Sequence, residues 1–146
     1  MTFDKEFIYK LLAQAGENPR RRQNFDLRTG AEDGSQRMLN ALLPGTVVPV
    51  HRHPHSSETV VLLCGRLDEV IYEEAQSGAD LPQTAETSAQ SLLREVERIH
   101  LCPGEGRFAC QVPAGAWHTV EVLEPSVIFE AKDGAYGQDG SVGFPV

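Results

Sequence analysis

Gly45, His51, His53, Glu58 and Gly65 stand at one spacing, and that spacing constrains this chain more than any other feature. The segment reads as a glycine, five residues, His-x-His, four residues, a glutamate, six residues and a second glycine. In a strand, side chains repeat every second residue, so His51 and His53 leave one face while Arg52 leaves the other. Pro54 to Ser57 is rich in turn formers, and Glu58 to Cys64 is β-branched and apolar enough to return as the next strand. Glu58 then opens the second strand close to where the histidines end the first. Downstream, Val112-Pro113-Ala114-Gly115-Ala116-Trp117-His118 predicts a tight turn entering another strand. There His118 shares parity with Val120 and Val122. Three imidazoles and one carboxylate can converge.

This pattern resembles the cupin superfamily. The first segment fits the first cupin motif, G-x5-H-x-H-x(3,4)-E-x6-G, at every fixed position, and Pro113-x-Gly115-x2-His118 fits the core of the second. The second motif departs at its edges. Arg107 stands where its opening glycine belongs, with Gly106 one residue early, and Val122 replaces its closing asparagine. The flanks are similar to the WbuC family of cupin-fold metalloproteins: Gln36 to Leu42 before the motif, His51-Arg52-His53-Pro54 within it, and Phe129 to Tyr136 after the last strand. That resemblance covers roughly residues 20 to 140 and implies a single-domain, all-β cupin (a double-stranded β-helix, or jelly-roll barrel). A link to surface-polysaccharide metabolism is also implied. Asp26 stands where a histidine is common in the family, and the tail after Tyr136 is shortened.

The rest of the chain is consistent with one such barrel. At 146 residues it is one domain of ordinary size. Phe3, Phe7, Ile8, Leu11, Leu12 and Ala15 recur at helical spacing, with Gly16 as a stop and Pro19 beyond it. An N-terminal helix and linker are therefore expected over 1–19, and the barrel over 20–146. The helix's apolar stripe suits the outside of the barrel or a second subunit. Strands are expected at Gln23–Arg28, Gln36–Leu43, Val47–His53, Glu58–Cys64, Leu67–Tyr72, Phe108–Val112, Trp117–Leu123 and Ser126–Lys132. Cys64-Gly65-Arg66 reads as a hairpin turn, with the glycine supplying positive φ. Glu73 to Gln90 reads as an exposed loop, and Ser91 to Leu101 suits a helix or a strand, the fold resemblance favouring a strand.

Charge and cysteines exclude several classes. A formal charge of −8 argues against nucleic acid, because phosphate binding needs a concentrated basic surface. Cys64, Cys102 and Cys110 have no C-x-x-C spacing and indicate neither a disulfide framework nor a zinc knuckle. Cys64 has the inward parity of the Glu58 strand and is expected as a small core residue. No apolar run approaches the ~20 residues of a membrane span, and a cytoplasmic location is expected.

Neutral imidazoles and a carboxylate without thiolate suit a divalent ion: Fe, Mn, Co, Ni, Cu or Zn. His51, His53, Glu58 and His118 are the expected ligands. Four donors on a six-coordinate ion leave two positions for substrate oxygens, which is the chemical reason to suspect catalysis. Because ligand nitrogens must be unprotonated, affinity is expected to fall as pH drops through about 6.5. Ile128, Glu130 and Lys132 share parity, so a buried Glu130 can act as acid or base, with Lys132 or Arg37 as counter-ion. Tyr136 and Asn24 are pocket candidates through the resemblance. His55 lies in the turn after the pair and reads as rim, and His100 as structural or exposed. Trp117, of opposite parity to His118, reads as a packing residue.

Two functional classes follow. One is a divalent-metal-dependent enzyme acting on a sugar or another oxygenated small molecule, by isomerisation, epimerisation, hydrolysis or oxidation. The other is a non-catalytic metal- or ligand-binding cupin, a sensor or accessory subunit. Metal-independent sugar-epimerase cupins rely on a His/Asp dyad, and the complete ligand set argues against them. A homodimer is expected, paired through sheet edges and the N-terminal helix.

Overall fold

The computed structural model describes residues 1–75, 92–135 and 139–145. Its first element is α1 (Lys5–Glu17), which Asp4 caps by accepting a hydrogen bond from the Phe7 N–H at 2.9 Å. The helix runs through Gly16, the expected stop, and ends at Glu17, with Asn18 as its C-cap just before Pro19. Its buried side, Leu11 and Ala15, packs on Leu39, Ala41, Leu43 and Val127 of its own chain, so the stripe covers the outside of the barrel.

Among the described residues eight strands follow: β1 (Arg22–Asp26), β2 (Ser35–Leu42), β3 (His51–Arg52), β4 (Glu58–Glu74), β5 (Leu93–Leu101), β6 (Ala109–Val112), β7 (Trp117–Asp133) and β8 (Val142–Gly143). All pairings are antiparallel. The long strands β4 and β7 pair along nearly their whole length, and each contributes to two sheets. One sheet runs β1, β2, the second half of β7, the first half of β4, then β6. The other runs β8, β3, the first half of β7, the second half of β4, then β5. Strands that switch sheets at a bend are how two curved layers close on one core. That core is Leu42, Val60, Leu62, Leu67, Leu101 and Ile128.

The bend corrects the expected hairpin at Cys64-Gly65-Arg66. The chain does not double back there. β4 continues through a bulge, with the register shifting between Leu62, Cys64 and Arg66 against β7. Gly65 has φ +98, and a Cβ on it would stand 2.3 Å from Ser126 Oγ and 2.4 Å from the Pro125 carbonyl oxygen. Positive φ was the right requirement, met at a close strand crossing. Likewise Trp117–Leu123 and Ser126–Lys132 are one strand. The bulge also reverses side-chain parity beyond Leu62, so Cys64 is half-buried against the helix-side cluster and not in the barrel interior.

β3 is shorter than the expected Val47–His53. Pro49 has no N–H to give a ladder, and regular pairing begins only at His51. Leu93–Leu101 is a strand, the favoured alternative for that stretch. Of the expected loop, Glu73 and Glu74 belong to β4, and residues 76–90 lie outside the described residues. The early glycine of the second motif works where it stands. Gly106 has φ +77, and its turn lets Cys102 and Arg107 exchange backbone hydrogen bonds at 2.8 and 3.1 Å.

Candidate metal centre

β3 carries His51 and β7 carries His118, and the two are direct register partners. His53 follows two residues after His51 on the same face, and its carbonyl accepts from the Gly115 N–H at 2.8 Å, tying the turn of the second motif to the first. The ligand atoms of His51, His53 and His118 lie within 4.8 Å of one another. Arg52 leaves the opposite face, as the parity requires, where its guanidinium stacks 4.4 Å over the Trp117 ring. Trp117 is thus a packing residue.

Hydrogen bonds fix which nitrogen of each ring faces the centre. His51 Nδ1 lies 2.8 Å from the Pro49 carbonyl oxygen and His118 Nδ1 2.9 Å from that of Ala116. A carbonyl only accepts, so both Nδ1 atoms carry the proton and both Nε2 atoms present a lone pair. His53 Nδ1 lies 2.6 Å from Ser141 Oγ. The Ser141 hydroxyl donates to Asp139, so it accepts from His53 and leaves Nε2 free there too. The Nε2 atoms of His53 and His118 are buried without a hydrogen-bond partner. Buried polar nitrogens are seldom left so. Three converging Nε2 lone pairs, each backed by a bond at Nδ1, are the donor set a divalent ion requires, and the residues fit such an ion.

Glu58 opens β4 beside this group, 6% exposed, with Oε2 2.9 Å from His53 Nε2 but without the angle of a hydrogen bond. Burial alone would raise its carboxyl, yet the imidazole of His53 and the nearby His118 and His51 outweigh that and hold it below the usual range. Burial, reinforced by His51, pushes His118 down to about 4, and burial lowers His51 as well. For His118, proton competition with a metal therefore moves down to about 4.

Behind the imidazoles the barrel interior is acidic. Glu130 on β7 is half-buried and raised to about 8, by burial first and then by the charge of Glu58, against a hydrogen bond from Asn40 and the charge of Lys132. Glu69 on β4 is 1% exposed and raised well above the usual range, by burial and then by Glu58 and Glu130. Its Oε2, together with Gln36 Oε1 and Asn40 Oδ1, is buried without a partner. Burying unpaired acceptors is costly, so this interior is built to receive donors. Glu69 was missed from the sequence, where its one local signal is an acid flanked two residues either side by the aliphatics Leu67 and Ile71.

Two expected counter-ions sit elsewhere. Arg37 turns away from Glu130 and bonds Asp33 Oδ2 at 2.9 Å, held by its strand's opposite parity. Lys132 faces the interior, but its ammonium is bonded to Asp139 and to the Gly134 carbonyl at 2.7 Å. Asn24 is exposed on β1. His55 is exposed on the rim, and His100 bonds Asp68 Oδ1 at 2.7 Å. Tyr136 lies outside the described residues. Two surface cavities, about 570 Å³ beside Val48 and Thr119 and about 940 Å³ beside Tyr72 and Pro113, are lined by none of the histidines or interior acids.

A family model described as a domain of unknown function, DUF6016, matches residues 3–85, which include α1, the paired histidines and Glu58. The chain belongs to the DUF6016 family. No curated protein matches this DUF6016 member by sequence. Among solved structures it is similar to an oxalate oxidase (TM-score 0.54, 16% identity), covering 86% of this chain and 56% of that one. It is also similar to the oxalate decarboxylase of Lactobacillus farciminis (0.52, 14%), covering 84% and 30%. A third is the capsular polysaccharide assembling protein CapF from Staphylococcus aureus (0.50, 16%), covering 77% and 27%. The DUF6016 chain thus spans 56% of the length of the oxalate oxidase and under a third of the other two. At these identities the likeness carries the fold: a single-domain jelly-roll cupin with an N-terminal helix. Among the described residues no helix is long and apolar enough to cross a membrane.

Proposed function

We propose that this DUF6016 cupin is a divalent-metal-dependent enzyme acting on a small oxygenated substrate, with sugar-derived acids as the favoured class. The observation that carries the reading is the set of three Nε2 lone pairs, fixed in tautomer by bonds at every Nδ1. His51, His53 and His118 would hold the ion, with Glu58 beside His53 as the fourth donor. Bound there, a divalent ion would polarise a substrate oxygen.

The chain's own residues supply the rest. Glu130, kept protonated to about 8, can donate a proton at neutral pH and take it back from a neighbouring carbon or oxygen. The unpaired acceptors of Gln36, Asn40 and Glu69 suit the hydroxyl groups of a polyol. Membership of the WbuC family belongs to this reading, supported by the flanking residues, and so does a role in surface-polysaccharide metabolism, supported by the likeness to the capsular polysaccharide assembling protein CapF. So does a homodimer, supported by Phe3 and Tyr9, which are exposed on or beside α1.

The test is metal binding followed by turnover. One divalent ion per chain should bind in calorimetry, and a panel of sugar acids and hydroxy acids should give a metal-dependent product that Glu130→Gln abolishes while retaining the ion. Metal binding with no turnover across the panel, and with Glu130→Gln silent in substrate binding, would favour the sensor or accessory role. Absence of any divalent binding would reject both.

A further inference from the structure

The three imidazoles differ in what holds them. His51 and His118 rest on carbonyls two residues earlier in the chain, just ahead of β3 and β7, whereas His53 is held from 88 residues along the chain. Ser141 Oγ is 2.6 Å from His53 Nδ1, and Asp139 Oδ2 is 3.3 Å from it. Asp139 in turn accepts from the Ser141 N–H at 3.0 Å, from the Ser141 hydroxyl and from the Lys132 ammonium. All three are donors, so both oxygens of Asp139 act as acceptors. The Lys132 and Asp139 side chains are 1% and 2% exposed.

A buried ion pair contributes little net stability over an apolar pair, so its placement needs another reason. Here the reason is orientation. With its hydroxyl proton committed to Asp139, Ser141 has only an acceptor to offer, and His53 must carry its proton on Nδ1. The same segment is fastened to the motif at three further points. Val142 and Gly143 pair with Arg52 and His51, the Phe144 N–H donates to the Val50 carbonyl at 2.9 Å, and the Phe144 ring meets Trp117 edge-on at 5.0 Å.

We infer that residues 139–145 are a working part of the metal centre, in which Ser141 and Asp139, neutralised by Lys132, are positioning residues that set the tautomer and ring orientation of His53. Lys132 therefore serves the ligand, and the ammonium is not available to substrate. The inference rests on the metal reading for its purpose, and its geometry can be tested apart from it.

The experiment has two arms. In chelator-treated protein, nitrogen-15 NMR of the histidine rings should show His53 as the Nδ1–H tautomer in the wild type and as a mixture in Ser141→Ala, with His51 and His118 unchanged. In calorimetry with Zn²⁺ and Mn²⁺, Ser141→Ala and Asp139→Asn should bind about 10–100-fold more weakly than wild type, and Ser141→Thr should restore most of the affinity. A wild-type tautomer in Ser141→Ala, or unchanged affinity in both variants, would overturn the inference. Should the wild type bind neither ion, the metal reading fails, and the tautomer arm alone decides whether Ser141 positions His53.

Discussion

His51 and His118 face each other as register partners of an antiparallel pair, with ring centroids 4.3 Å apart. They come from the two ends of the barrel's signature, yet one backbone pairing fixes both. Each ring also leans on the carbonyl two residues before it, so neither depends on a long, mobile side chain for aim. Replacing either should remove one donor without disturbing the other's bond at Nδ1.

His118→Ala is therefore expected to weaken Zn²⁺ or Mn²⁺ binding by more than the roughly 10–100-fold typical of losing an outer hydrogen-bond partner. His55→Ala, at the exposed rim, is expected to leave affinity unchanged. Calorimetric titration of both variants beside the wild type checks the pair. Equal loss in both would move the site towards the turn.

The interior acids give a pH signature in metal-free protein. Glu130 titrates near 8 in the folded chain and near 4.5 unfolded, so between these values the folded state binds the extra proton and stability falls as pH rises. His118 works oppositely: its folded value of about 4 lies below 6.5, so stability falls as pH drops from 6.5 to 4. From pH 6.5 to 8 the carboxyl contribution leads, with Glu69 adding to it and the raised Cys110 thiol acting in the same direction. Chemical denaturation at pH 7 and pH 8 should show stability falling with pH. Glu130→Gln should reduce that slope by up to about 1.4 kcal/mol per pH unit, one proton's worth.

Gly65→Ala tests the crossing of the two long strands. The added Cβ would meet Ser126 Oγ at 2.3 Å and the Pro125 carbonyl oxygen at 2.4 Å, at a φ that L side chains rarely adopt. The expected cost is about 2–4 kcal/mol, from overpacking and backbone strain together. Thermal melts check it. By contrast Gly45→Ala, where positive φ stands in open space, should cost only the smaller strain term.

Period-two alternation suffices to put His51 and His53 on one face and Arg52 on the other, because strand parity is local. Placing His118 opposite His51 needs the motif spacing, which reports a non-local pairing. Parity failed at Cys64, since a bulge inserts one residue and reverses every face beyond it. The turn at Gly65 was misread because a glycine with positive φ serves a hairpin and a bulged crossing alike. Asp139 and Ser141 were missed for a different reason. A short polar tail carries no periodicity, and its bonds to His53 and Lys132 appear only once the chain has closed on itself. Lys132 was correctly turned inward, but its partner could not be read before Asp139 was in place.

The central claim is that three Nε2 atoms share one divalent ion. Crystals grown with Mn²⁺ or Zn²⁺ and measured at the absorption edge of the metal test it directly. One anomalous peak is expected about 2.0–2.3 Å from Nε2 of His51, His53 and His118, with Glu58 as the adjacent carboxylate. A peak bound through Nδ1, a peak elsewhere on the chain, or none at millimolar metal would contradict the account.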